Sequence, residues 1–183
     1  MKIVNLPNML SIFRLLLVPV FIMMYFDGAD YAGLRAVCVY AIAGATDVMD
    51  GMIARKYKQV TRLGRILDPL ADKLMTFAVL ICVTIDGVVP LWAVVVFFIK
   101  EGLMGIGGLL LYRKIADMPP SNIFGKISTV VFFIVCVILI IGKGYITELW
   151  SSIMIGFAIV VTLLAFASYI FKFATIQNSN RKK

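Results

Sequence analysis

Six apolar runs, most of them about as long as a bilayer core is thick, set the terms on which this chain can fold. They lie at 10–26, 33–53, 66–85, 90–112, 127–141 and 150–171, and a helix needs roughly 17–25 such residues to cross the hydrocarbon core. The fifth run is short and is expected to extend into its flanks. Lipid offers no water to backbone N–H and C=O groups, so runs of this kind must satisfy their own hydrogen bonds as helices. Of 183 residues, 62% are hydrophobic and 15% charged, with a mean hydropathy of +1.00, whereas soluble domains average about 45–50% apolar. The reading is an all-α, polytopic membrane protein with six transmembrane helices, forming a single domain over 1–183. Lys2 ahead of an apolar run resembles the start of a secretory signal, but Arg14 interrupts that run and no small-x-small cleavage site follows.

The basic residues are distributed unevenly between the two sides that six spans would create. One side receives Lys2, Arg14, the 55–65 cluster, Arg113, Lys114, Lys126, Lys172 and the Arg181-Lys182-Lys183 tail. The other receives Arg35 and Lys143, together with Asp27, Asp30, Asp86 and Glu148. By the positive-inside rule, both termini are expected at the cytoplasmic face of the cell membrane. The net charge of +8 then reflects topology and anionic lipid headgroups, and no nucleic-acid partner is expected. The chain contains no histidine, which excludes Ser-His-Asp and Cys-His catalysis and leaves acid–base work to carboxylates. Cys38, Cys82 and Cys136 are far apart and lack metal-ligand spacing, so they read as small buried hydrophobes.

Four aspartates stand out against this background: Asp47-x-x-Asp50-Gly51-x-x-Ala54-Arg55 and, after eight residues, Gly64-x-x-x-Asp68-x-x-x-Asp72. A carboxylate costs roughly 2.5–3.5 kcal/mol at a bilayer centre, so a cluster signals a compensating cation. Residues three or four apart share a helix face, which pairs Asp47 with Asp50 and Asp68 with Asp72. Two such pairs facing each other would offer the hard oxygen ligands that Mg2+ or Mn2+ prefers. A cation transporter would also use carboxylates, but nearer mid-membrane and often in paired repeats. These carboxylates sit beside Arg55, at the basic end.

The eight specified positions at fixed offsets closely resemble the signature of the CDP-alcohol phosphatidyltransferases. The six-run layout and the N-terminal Pro7-Asn8-Met9-Leu10-Ser11-x-x-Arg14 are similar to that family as well. The resemblance implies an all-helical membrane enzyme, usually a homodimer, with two divalent ions between the second and third helices. It implies transfer of a phosphatidyl group from CDP-diacylglycerol to an acceptor hydroxyl, releasing CMP, at the cytoplasmic side. Asp47, Asp50, Asp68 and Asp72 would hold the metal ions, and Asp72 would also act as general base. Gly51 and Ala54 would leave room for the nucleotide, and Arg55 would donate to phosphate. Asn8, Ser11 and Thr61 match nucleotide contacts of the family, although Asn8 and Ser11 also read as a helix N-cap, and Thr61 as an ordinary loop residue. Gly64 would let the third helix start close to the second, and Pro69 would fall at that helix's start.

The acceptor is less constrained. Glycerol 3-phosphate is the leading expectation; phosphatidylglycerol, giving cardiolipin, or inositol phosphate are alternatives. Lys100, Arg113 and Lys126 are the candidates for holding an acceptor phosphate, with Lys100 alternatively paired to Glu101. Members using glycerol 3-phosphate commonly have Arg-Glu near Lys100-Glu101, and Gly-Lys-x-Lys-Thr where this chain reads Gly125-Lys126-Ile127-Ser128-Thr129. Tyr112-Arg113 and the later Lys-x-x-Thr also resemble cardiolipin-forming members. The glycines at 102, 105, 107 and 108 read as a site of close helix packing.

Overall fold

A computed structural model describes residues 6–56, 64–114 and 123–181. The elements are α1 (Leu6–Tyr25), α2 (Ala32–Lys56), α3 (Gly64–Ile85), α4 (Leu91–Lys114), α5 (Ile123–Ile141) and α6 (Glu148–Arg181). There is no strand among the described residues. Each expected run is matched by a helix longer than the run, because flanking residues, apolar and polar, join the ends. Thus α1 starts one turn early, α5 takes in Ile123 to Lys126, and α6 continues ten residues past Phe171. Leu6–Tyr25, Ala32–Ile53 and Glu148–Ser168 are long and apolar enough to cross a membrane. By contrast, α3 carries Arg65, Asp68, Asp72 and Lys73 in its first half. Many large apolar side chains, including Leu16, Met23, Leu103 and Leu164, face outward, the pattern of helices solvated by lipid.

The chain divides into two compact units, one formed by α1–α3 with residues 140–143, the other by α4, α5 up to Leu139, and α6. In the first unit, α1 packs along both α2 and α3, while α2 and α3 touch each other over a much shorter stretch. The packing seams follow helical spacing. On α1 the buried positions are Asn8, Ser11, Arg14, Leu17, Phe21 and Tyr25. On α2 the seam runs through Ala36, Tyr40 and Ala43 to Asp50, and on α3 through Ala71, Met75, Ala78 and Cys82. Small residues on α2 and α3 admit the larger α1 side chains, with Phe21 and Tyr40 ring centroids 6.3 Å apart. One end of the seam is therefore aromatic and the other polar. Gly33, at the start of α2, lies so near the end of α5 that a Cβ there would be 3.2 Å from the Ile140 carbonyl oxygen.

Ion pairs tie the aromatic end: Arg35 meets Asp27 at 2.8 Å and Lys143 meets Asp86 at 2.5 Å. The Lys143 ammonium also lies 5.1 Å from the Tyr25 ring centroid. In the second unit, Phe97 of α4 stacks on Phe132 of α5 with centroids 4.9 Å apart, and α6 buries Ile155, Ala158 and Ile159.

Three expectations are corrected. Cys38 is exposed, whereas Cys82 and Cys136 are buried, and all three are free thiols. A Cβ at Gly102 would meet nothing within 4 Å, so this glycine is not a point of close packing. Pro69 is the sixth residue of α3 and lies inside the helix; having no N–H, it cannot bond the carbonyl four residues back.

Candidate active site

The polar end of the first unit is assembled by α1. Arg14, 1% exposed, sits one turn beyond Ser11 on the α1 seam and reaches α2 with both terminal nitrogens. Nη1 donates to Asp47 Oδ1 at 2.5 Å, and Nη2 donates to Asp50 Oδ2. Asp50 is 3% exposed, while the Asp47 side chain is 45% exposed. The expectation that these two carboxylates share a face is met, and the guanidinium fork is what spans them. Ser11, fully buried, works toward the other helix: its hydroxyl donates to Asp68 Oδ1 of α3, with the Pro7 carbonyl oxygen 3.0 Å away as the alternative acceptor. Asn8 is buried one turn earlier on the same face.

Asn8 and Ser11 are therefore inside α1, since the helix begins at Leu6. Ser11 is a side-chain bridge between helices, not an N-cap. Asp72 lies one turn after Asp68 and is half-buried; its backbone carbonyl accepts from Thr76 Oγ1 at 3.0 Å. Gly51 follows Asp50 directly, and Gly64 is the buried first residue of α3. Ala54 and Arg55 lie on the last turns of α2, but their side chains, like Thr61 as a whole, lie outside the described residues.

The acceptor candidates fall in the second unit. Lys100 is buried and forms an ion pair with Glu101, its ammonium 4.5 Å from the Phe97 ring centroid. Lys126 is exposed in the first turn of α5. Arg113 is on the last turn of α4, with its side chain outside the described residues.

Sequence reasoning alone places Arg14 with the cytoplasmic-side cations and in the N-terminal motif, and misses this role. The signal was available: 8, 11, 14, 17 and 21 recur at three- and four-residue intervals, so Arg14 must share the face of Asn8 and Ser11. α1 packs along both helices that carry the carboxylate pairs, reaching Asp47 and Asp50 through Arg14 and Asp68 through Ser11.

The donor set is carboxylate oxygen on two helices fastened to a third, which suits a hard divalent ion in chemistry. As the side chains stand, no three His, Cys, Asp or Glu residues among those described come together closely enough to hold one. Asp47 and Asp50 engage Arg14, and Asp68 engages Ser11.

The sequence profile of the CDP-alcohol phosphatidyltransferase family matches residues 4–167, which includes every residue of this cluster. The chain belongs to the CDP-alcohol phosphatidyltransferases. It is 32% identical to a cardiolipin synthase (CMP-forming) of Streptomyces coelicolor, over 81% of this chain and 71% of that one. It is 28% identical to a probable phosphatidylglycerophosphate synthase of Mycobacterium tuberculosis, over 92% and 81%. A CDP-diacylglycerol–glycerol-3-phosphate 3-phosphatidyltransferase of Bacillus subtilis is 34% identical, over 68% and 70%. As a CDP-alcohol phosphatidyltransferase, the protein is an integral membrane enzyme of phospholipid synthesis, and its relatives' names differ in the acceptor.

Proposed function

We propose that this enzyme transfers the phosphatidyl group of CDP-diacylglycerol to the hydroxyl of glycerol 3-phosphate, giving phosphatidylglycerophosphate and CMP. The observation that carries the reading is the acidic cluster of α2 and α3, clasped by buried Arg14 and Ser11 at the polar end of the first unit. In the reaction, the acceptor hydroxyl oxygen bonds to the phosphorus bearing diacylglycerol, the bond from that phosphorus to the CMP oxygen breaks, and CMP leaves with the electron pair. Asp72 takes the hydroxyl proton, there being no histidine in the chain to serve as base. Asp47, Asp50, Asp68 and Asp72 would hold two Mg2+ or Mn2+ ions, which when bound neutralise charge on the pyrophosphate and leaving group. Asn8, Ser11, Gly51, Ala54, Arg55, Thr61 and Gly64 form the nucleotide side of the proposal, and Lys100, Arg113 and Lys126 the acceptor side.

Six membrane spans, both termini and the site at the cytoplasmic face, one domain over 1–183 and a homodimer complete the proposal. In support, α3, α4 and α5 have 22, 24 and 19 residues, and at about 1.5 Å per residue each comes close to a hydrocarbon core of about 30 Å. The family match also crosses both units. A second acceptor, phosphatidylglycerol, is favoured by the Streptomyces relative's name and by the departures around Lys100 and Ser128.

A panel decides between them: purified protein, CDP-diacylglycerol, Mg2+ or Mn2+, and glycerol 3-phosphate, phosphatidylglycerol or inositol phosphate in turn, with CMP and lipid product followed by mass spectrometry. The expected result is CMP release with glycerol 3-phosphate, lost on adding EDTA. Product only with phosphatidylglycerol or inositol phosphate reassigns the acceptor, and EDTA-resistant transfer removes the metals.

A further inference from the structure

Arg14 invests more in the two α2 carboxylates than charge balance alone requires. Its two terminal nitrogens go to different residues, Asp47 and Asp50, and its Nε is buried with no hydrogen-bond partner. A lysine could balance the same charge with a single point cation, without a planar fork and without a stranded donor. The orientation of the guanidinium is thus set by the two carboxylates. The fork takes one oxygen from each, Oδ1 of Asp47 and Oδ2 of Asp50, and fixes two side chains that would otherwise sample separate rotamers.

We infer that Arg14 is a positioning residue of the acidic site: by holding one oxygen of Asp47 and one of Asp50, it presents their remaining oxygens together to a divalent ion. The inference rests on the divalent-ion reading of the proposed function. Arg14 does not touch the substrate or the reacting atoms in this role. It acts through the two aspartates, as the outer partners of metal ligands do when they fix ligand orientation ahead of binding. Removing the fork while keeping the charge separates this role from simple neutralisation, because a lysine leaves the local charge unchanged and loses the two-point hold.

The test measures Mn2+ binding to the full-length protein in detergent, by loss of the free-ion electron paramagnetic resonance signal, together with the thermal midpoint without metal. Wild type is expected to bind Mn2+. Arg14→Lys is expected to weaken binding by about tenfold, equivalent to about 1.4 kcal/mol, with a midpoint within a few degrees of wild type. Arg14→Met is expected to weaken binding at least as much; should it fail to fold, the lysine variant carries the result. Mn2+ affinity in Arg14→Lys within threefold of wild type overturns the inference and reduces Arg14 to a counter-charge. Tighter binding in Arg14→Met overturns it also, by making Arg14 a competitor of the ion. If wild type binds no Mn2+, the divalent-ion reading falls and the inference falls with it, an outcome distinct from the other two.

Discussion

Removing Arg14 strands a carboxylate that has almost no solvent to turn to. Asp50 is nearly as buried as Arg14 itself, and breaking a buried pair by deleting one partner typically costs about 3–5 kcal/mol, since the orphaned charge stays desolvated. Arg14→Met should therefore unfold at a clearly lower temperature than wild type, and the double variant Arg14→Met with Asp50→Asn should recover part of that loss. Thermal unfolding in detergent checks this, and a double variant no more stable than the single one would place the cost elsewhere. The same burial separates the aspartates. Asp47→Asn, Asp50→Asn and Asp68→Asn are each expected to abolish transfer, but Asp50→Asn also disturbs a buried ion pair, so its thermal shift should exceed that of half-exposed Asp47→Asn. Asp72→Asn addresses proton removal. If it keeps transfer within about tenfold of wild type, a barrier change of roughly 1.4 kcal/mol, Asp72 is not the base.

At the level of helices, α1 organises the first unit, and its sequence holds that role in a readable form. The buried set of Asn8, Ser11, Arg14, Leu17, Phe21 and Tyr25 is a single stripe at helical spacing, so the seam itself was legible. What pattern could not supply was the partner of each position: nothing in the sequence states that Arg14 bridges to α2 while Ser11 crosses to α3. The aspartates were legible because charge in an apolar setting is rare and their spacing is rigid. The glycines were not, because a glycine inside a helix marks close approach only if another element arrives there. Gly33 meets the Ile140 carbonyl, whereas Gly102 meets nothing within 4 Å. Gly102→Ala should be neutral or stabilising by at most about 1 kcal/mol, the gain in helix propensity. Gly33→Ala should lower the thermal midpoint, because its Cβ contacts backbone and not a flexible side-chain end. The two variants run side by side form the check, and equal shifts would mean that the α2–α5 approach relaxes without cost.

Across the whole molecule, the charge pattern and the helix lengths make a joint statement about how the chain sits in the bilayer. At the aromatic end of the first unit, Arg35 and Lys143 are matched to Asp27 and Asp86, so the few cations expected outside are locally neutralised. The larger share of Lys and Arg, read from the sequence, belongs to the side proposed as cytoplasmic, where anionic lipid attracts it. Among the described residues three helices meet the length and composition of a span on their own, and an odd number of crossings would put the two termini on opposite sides. Six crossings put them together. With Cys38, Cys82 and Cys136 replaced by Ala, single cysteines at Tyr145, which is 93% exposed, and at Asn180 near the end of α6 make the distinction measurable in intact cells. A membrane-impermeant maleimide should label Tyr145→Cys from outside and should reach Asn180→Cys after the membrane is permeabilised. Labelling of Asn180→Cys in intact cells would reject six spans with both termini cytoplasmic. Protection of Tyr145→Cys there, with labelling after permeabilisation, would invert the proposed orientation and carry the acidic site to the outer face.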